Sequence, residues 1–285
     1  MSNGSTGMPV VLTIAGFDPC AGAGIAADLK TFAANNCYGV AAITALTVQN
    51  TAGVRSVELV RGKLLGEMLQ AIAEDIPLAA VKIGMLGSAE NVRVVTAFLQ
   101  KTEVPVVLDP VVQSSSGAVL LDEKGVKELR GALMARATVI TPNLDEAALL
   151  VGFPVTNLEE MKHAATELVA AGARAALITG GHLDKPVDIL LEGETCEQLP
   201  GDRVKTAHTH GTGCAFSAAL AAGLAQGKSL LEAAVLAKAY VYTALERGFA
   251  IGAGPGSPDH LYRLHANHIF RAGGAEPHHM EVGHR

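Results

Sequence analysis

Two glycines and a cysteine close the stretch His210-Gly211-Thr212-Gly213-Cys214, which stands just ahead of an alanine-rich run of helical character. With so little side-chain bulk, consecutive N–H groups can point into one concavity, and the dipole of a following helix adds about half a positive charge there. That arrangement stabilises the anionic oxygens of a phosphoryl group in transfer. A thiol at a helix N-terminus is expected to have a lowered pKa, which makes Cys214 a candidate acceptor for the proton of an attacking hydroxyl. A buried structural cysteine behind a glycine-rich cap would read the same way. A second loop, Gly16-Phe17-Asp18-Pro19-Cys20-Ala21-Gly22-Ala23-Gly24-Ile25, leads into a helix containing Asp28 and lets the backbone approach a ligand closely. It lacks the Lys-Ser/Thr ending of a P-loop and has no clean G-x-G-x-x-G, and tight packing alone also accounts for its glycines. In Thr141-Pro142-Asn143-Leu144-Asp145-Glu146, Asn143 and Glu146 have the spacing of a capping box. A carboxylate at the mouth of a sheet also suits Mg²⁺ held through water. Asp109, before Pro110, is an Asp-Pro turn by itself and a metal–phosphate site when paired with Glu146.

Positioning these loops requires strands that end beside one another. Short β-branched runs at Val10–Ala15, Val40–Ala45, Ala79–Ile83, Val104–Leu108, Thr138–Ile140 and Ala175–Ile178 alternate with helical patterns, the signature of parallel strands joined by crossover helices. One apolar stripe is Leu64, Leu65, Met68, Leu69 and Ile72; another is Val92, Val95, Phe98 and Leu99. Asp188–Leu191 and Thr195–Leu199 flank Glu192-Gly193-Glu194 and predict an antiparallel hairpin closing one edge. Helices follow from about Gly213 to Gln226 and from Leu230 to Arg247. The expected fold is one α/β/α sandwich with a mostly parallel central sheet, helices on both faces, and ligands at the carboxyl ends of the strands.

Composition narrows the function. The chain has 285 residues, 49% of them hydrophobic, enough for a substantial core. Its 22 Lys and Arg against 28 Asp and Glu give a net charge of -6, with no basic run to track a nucleic acid. Cys20, Cys37, Cys196 and Cys214 form no CxxC or Cys/His cluster, and reduced thiols in a cytoplasmic enzyme fit best. The longest apolar tract, Ala215 to Ala225, is too short to span a bilayer. Residues 1–8 read as a flexible tail without a secretory signal, residues 9–272 as one domain, and residues 273–285 as a disordered tail whose histidines have metal binding as the alternative.

Taken in order, these motifs resemble the hydroxymethylpyrimidine/phosphomethylpyrimidine kinases. The resemblance runs from about Val10 to Leu245 and includes Ala15 to Ile25, Ala27 to Thr31, Ile43 to Asn50, Lys82-Ile83-Gly84-Met85-Leu86, Leu108-Asp109-Pro110-Val111, Thr141-Pro142-Asn143-Leu144, Gly180-Gly181-His182 and Thr209 to Cys214. The cysteine ending the glycine motif is its most specific feature, since sugar kinases of the wider superfamily carry Asp there.

The resemblance implies a ribokinase-like fold, ATP with Mg²⁺, and phosphorylation of 4-amino-5-hydroxymethyl-2-methylpyrimidine and of its monophosphate, in a homodimer. It implies that Gly16, Asp28, Thr47, Gln49 and Met85 hold the pyrimidine. Asn143, Thr179 and Gly181 fall on the nucleotide side, Asp109 and Glu146 on the metal, and Gly211, Thr212, Gly213 and Cys214 at the reacting phosphoryl. An amide and a carboxylate together can satisfy ring nitrogens and an exocyclic amine. Without the resemblance Asp28 is an exposed helix charge and Gln49 a solvated strand end. The family commonly reads Pro-Ser-Gly-Gly-Ala-Gly-Ile-Gln where this chain has Pro19 to Ala26, and carries lysines where it has Ser115 and Thr179. The competing readings are a pyridoxine/pyridoxal kinase and a non-catalytic pyrimidine-binding protein.

Overall fold

The computed structural model describes residues 7–269, apart from 115, 116, 182 and 184. The expected C-terminal tail, most of the N-terminal one, Ser115 and His182 therefore lie outside the described residues. Nine strands form a single sheet in the order β3-β2-β1-β4-β5-β6-β7-β8-β9. They are β1 (Val10–Phe17), β2 (Tyr38–Asn50), β3 (Gly53–Leu59), β4 (Ala80–Ile83), β5 (Val106–Leu108), β6 (Val139–Ile140), β7 (Ala175–Ile178), β8 (Val187–Glu192) and β9 (Thr195–Pro200). From β2 to β7 the neighbours are parallel, and β3, β8 and β9 are antiparallel.

The sheet is buried on both faces. Leu12 and Ile14 of β1 point into a core completed by α2 (Gly62–Asp75), α3 (Ala89–Leu99), α5 (Leu144–Val151) and α6 (Leu158–Ala170). Val11, between them, points into the opposite core with α1 (Gly24–Ala34), α7 (Thr212–Ala225) and α8 (Leu230–Glu246). Such two-sided burial is why the strands read as continuous apolar runs rather than alternating ones. Residues 215 to 224 of α7 are all buried, so the helix has no polar face, and its alanines let it sit close to the sheet, α1 and α8.

The chain leaves β1 toward β2 on one side and later returns to β4 on the other, so strand order reverses at β1. The crevice at such a switch point, beyond the carboxyl ends of the strands, is where open α/β sheets bind ligands. β2 runs further than expected. Its pairing with β1 ends at Leu46, and the rest, with β3, makes a two-stranded arm that stands beyond the edge of β1. Sequence patterning misses β3 because its residues are exposed or half-buried on both faces and show no apolar alternation. Gln49 accordingly lies within a strand of this arm, where a solvated strand end was the bland expectation.

One buried ion pair ties α1 to the centre of the sheet. Lys82 of β4 and Asp28 of α1 are both 0% exposed, and the Lys82 Nζ donates to both Asp28 oxygens at 3.0 and 2.9 Å. Thr13 of β1 donates its hydroxyl to Asp28 at 2.6 Å. Removing one partner of a buried pair strands the other charge, at a cost of about 3–5 kcal/mol. Lys82→Met should lose that much stability in urea unfolding, and the double variant Asp28→Asn/Lys82→Met should recover much of it. A single variant as stable as the parent would contradict this assignment.

Candidate active site

The loop after β1 is wound around Asp18, which is 4% exposed. Its carboxylate accepts the backbone N–H groups of Cys20 at 2.8 Å, Gly22 at 3.2 Å and Ala23 at 2.9 Å. His210 Nε2 lies 2.9 Å from it, and the nearby Gln49 side chain helps to favour its charged form. Burial pushes the Asp18 pKa up, but these donors outweigh burial and hold it below the ordinary value. Sequence reasoning gave Asp18 no role, because nothing local announces partners so far along the chain.

Around Asp18 the small residues prove to be packing requirements. A Cβ on Gly211, whose φ is 87°, would overlap the Gly22 carbonyl oxygen, and a Cβ on Gly22 would press into the His210 ring. A Cβ on Gly16 would come 2.9 Å from the Met85 sulfur, so Gly16 and Met85 adjoin. Thr47 of the arm donates its hydroxyl to the Phe17 carbonyl at 3.0 Å. Ala21 has a φ of 57°, a left-handed conformation that is unfavourable for any residue with a Cβ.

Gly213 differs from Gly211: nothing lies within 4 Å of a Cβ placed on it, which leaves open space over the first turn of α7. The concavity is smaller than the sequence suggested, because the Thr212 N–H already donates to the Thr209 carbonyl at 3.2 Å and its hydroxyl donates to the same oxygen at 2.7 Å. The N–H groups of Gly213 and Cys214 remain at the open end of the helix.

Two site expectations are corrected here. Asp28 was expected to contact the pyrimidine; it is fully buried and both its oxygens are engaged by Lys82 and Thr13, so it supports the site from beneath. It is not the exposed helix charge of the bland reading either. Cys214 was expected to have a lowered pKa. Burial instead pushes the thiol up to about 12, Lys82 pulling it down while Asp109 and Asp28 add to the rise, and the Gly24 N–H pulls it down slightly. Burial of the thiol, with the two acids adding to it, outweighs the helix terminus.

Lys82 is the residue missed among the quoted motifs. Burial opposes its charge, but Asp28, then Cys214 and Asp109, raise its pKa above the ordinary value. Asp109, at the end of β5, lies 4.0 Å from the Lys82 Nζ and accepts the Ser217 hydroxyl of α7 at 2.9 Å. Asn143 and Glu146 form the capping box of α5: the Glu146 N–H donates to Asn143 Oδ1 at 2.9 Å, and the Asn143 N–H donates to Glu146 Oε2 at 3.0 Å. Asn143 also bridges to Thr179 at the end of β7. Gly180 donates its N–H to Asp188 at 2.9 Å, and Lys238 pairs with that carboxylate at 2.6 Å. Gly181, next in the chain, is exposed. Among the described residues no group of three or more His, Cys, Asp or Glu forms a ready metal cage. Asp109 and Glu146 nonetheless suit Mg²⁺, which usually takes one or two carboxylates together with phosphates: burial and the Asp109 charge push Glu146 up to about 8, a repulsion that a bound cation would relieve.

A mostly parallel α/β/α sandwich with a glycine-lined helix N-terminus at its switch point is the architecture of the ribokinase-like class. The model of the phosphomethylpyrimidine kinase family matches residues 18–259. The chain is 43% identical over 257 residues to the hydroxymethylpyrimidine/phosphomethylpyrimidine kinase of Streptomyces coelicolor, covering 90% of this chain and 96% of that one. Among solved structures, the phosphomethylpyrimidine kinase of Clostridium difficile is similar with a TM-score of 0.74 and 38% identity, over 82% of this chain and 98% of that one. The pyridoxal kinase of Staphylococcus aureus in complex with ADP is similar with a TM-score of 0.83 and 36% identity, over 89% and 94%. This chain belongs to the phosphomethylpyrimidine kinase family.

The raised Glu146 pKa has a consequence for stability. Between 4.5 and about 8 the unfolded chain has lost this proton while the folded chain keeps it, so stability contributed here falls as pH rises through that window. Glu146→Gln, which preserves the cap acceptor, should flatten that part of the pH–melting profile. An unchanged profile would show that Glu146 ionises normally.

Proposed function

We propose that this chain transfers the γ-phosphoryl group of ATP to the hydroxymethyl oxygen of 4-amino-5-hydroxymethyl-2-methylpyrimidine, and to the phosphate of the resulting monophosphate. The observation that carries this reading is the meeting of the Gln49 arm and the Gly211–Cys214 loop on the loop after β1, at the switch point. Family membership supports the same substrate. On this reading Gly16, Thr47, Gln49 and Met85 line the pyrimidine side. Asp18 takes the Gln49 side chain as a donor, which turns the amide oxygen away from Asp18 and toward the exocyclic amine of the ring.

In the transfer the bond from the γ-phosphorus to its bridging oxygen breaks, a bond to the acceptor oxygen forms, and ADP departs. The N–H groups of Gly213 and Cys214 face the equatorial oxygens, where fixed dipoles act most strongly. Asn143, Thr179 and Gly181 sit at neighbouring strand ends suited to the nucleotide, and the similar Staphylococcus aureus pyridoxal kinase forms a complex with ADP. Asp109 and Glu146 would hold Mg²⁺, which neutralises phosphate charge when bound. Cys214 takes the hydroxyl proton. Its thiol must first give its own proton to solvent, a loss that Lys82 favours and that burial and the Asp109 and Asp28 charges oppose. The four unpaired cysteines fit a reducing compartment, the cytoplasm. Exposed Leu46, Val48 and Leu59 of the arm offer an apolar surface for a second copy of the chain.

A phosphorylation assay with ATP and Mg²⁺ should show turnover of hydroxymethylpyrimidine or its monophosphate above that of pyridoxal. Exclusive use of pyridoxal would favour the vitamin B6 reading that the similar structure raises, and pyrimidine binding without turnover would favour a binding protein. Cys214→Ser should lower turnover by about 10²–10⁴-fold, the range typical of a lost proton acceptor, with substrate binding nearly unchanged; turnover within a few-fold of the parent would make Cys214 a packing residue. Gln49→Ala should weaken pyrimidine binding by about 1–3 kcal/mol in calorimetry, and equal affinity would remove it from the pocket.

A further inference from the structure

Two loops that begin 194 residues apart by number, Gly16 and His210, share one carboxylate. Asp18 gathers three backbone N–H groups of its own loop, and His210 Nε2 approaches the same Oδ2 that accepts from Gly22 and Ala23, at 2.9 Å. His210 immediately precedes the glycine that opens α7, so its side chain holds the entry to the Gly213–Cys214 turn. Backbone contact reinforces it: Gly211 and Gly22 meet with no room for a Cβ on Gly211, and Gly22 lies under the His210 ring. From the other side Gln49 reaches Asp18. Asp18 therefore interacts with the pyrimidine arm, the loop after β1 and the phosphoryl loop together.

We infer that His210 is a positioning residue, which by donating from Nε2 to Asp18 fixes the Gly213–Cys214 turn relative to the bound pyrimidine. This rests on the kinase reading above. The His210 imidazole is turned toward Asp18; its effect is to set the distance between two groups that must react. A displacement of about 1 Å between reacting groups can cost roughly 10²-fold in rate. Loss of the His210–Asp18 bond should thus reduce kcat while leaving pyrimidine affinity in place. Loss of Asp18 should do both, because Gln49 depends on it too.

The test compares steady-state kinetics of the full chain with its His210→Leu, His210→Gln and Asp18→Asn variants. His210→Leu fills the space without a donor and should lower kcat by about 10²-fold, with KM for hydroxymethylpyrimidine within a few-fold of the parent. His210→Gln, whose amide can reach Asp18 with an N–H, should regain most of that loss. Asp18→Asn should lower kcat and raise KM together. If His210→Leu loses its cooperative thermal melt, His210→Asn, too short to reach Asp18, takes its place against His210→Gln. A kcat for the Leu or Asn variant within a few-fold of the parent, or a Gln variant no better than either, would overturn the positioning role. A parent chain that turns over no pyrimidine would overturn the kinase reading itself, whereas an active parent with indifferent His210 variants would overturn this inference alone.

Discussion

A lysine ammonium with no exposure to solvent lies beneath the active site, and most of the site's chemistry is set by what neutralises it. Lys82 can remain charged there only because Asp28 meets it at 2.9 Å and Asp109 lies 4.0 Å away. Desolvating an ion costs several kcal/mol unless geometry and further hydrogen bonds compensate. Thr13 and Ser217 supply those bonds to the two carboxylates. The cluster thereby joins β1, β4, β5, α1 and α7, the elements whose ends make the site. Within it both oxygens of Asp28 are engaged by Lys82 and Thr13, away from solvent.

Above that charge layer, close backbone packing does the assembling. The loop after β1 and the turn into α7 approach closely because Gly22 and Gly211 carry no side chains, and Asp18 holds the first loop in shape by collecting its N–H groups. The arm of β2 and β3 is tied to the same loop through Thr47 and at its tip to a later loop, where the Gly254 N–H donates to Thr51 at 3.1 Å. On the proposed reading, heterocycle recognition and phosphoryl stabilisation would share one backbone scaffold, which suits a reaction whose catalysis is mostly positioning and fixed dipoles.

Much of this was legible in the sequence where the signal is local. Strands buried on both faces, such as Ala175–Ile178, announce themselves by their apolar runs, and the capping box of Asn143 and Glu146 appears as read. Glycine motifs at strand ends located the site, and the family resemblance gave its chemistry. What escaped were partnerships over distance. Lys82 looks like any lysine in a short strand, and its partner is 54 residues earlier; His210 and Asp18 are separated by 192. The acidity of Cys214 was misjudged for the same reason, since a helix terminus is visible in a sequence, whereas the burial of the thiol and the Asp109 and Asp28 charges that add to it are not. β3 escaped because neither of its faces is buried.

Burial of the thiol beside this charge cluster, rather than the helix terminus, governs the proton on Cys214. Ultraviolet titration of thiolate absorbance, taken as the difference between the parent and its Cys214→Ser variant, measures that proton directly. The account predicts no Cys214 thiolate in the ligand-free chain at the ordinary thiol value of 9.0, with ionisation displaced toward about 12. A thiolate step near neutral pH would contradict it and return control of the thiol to the helix dipole.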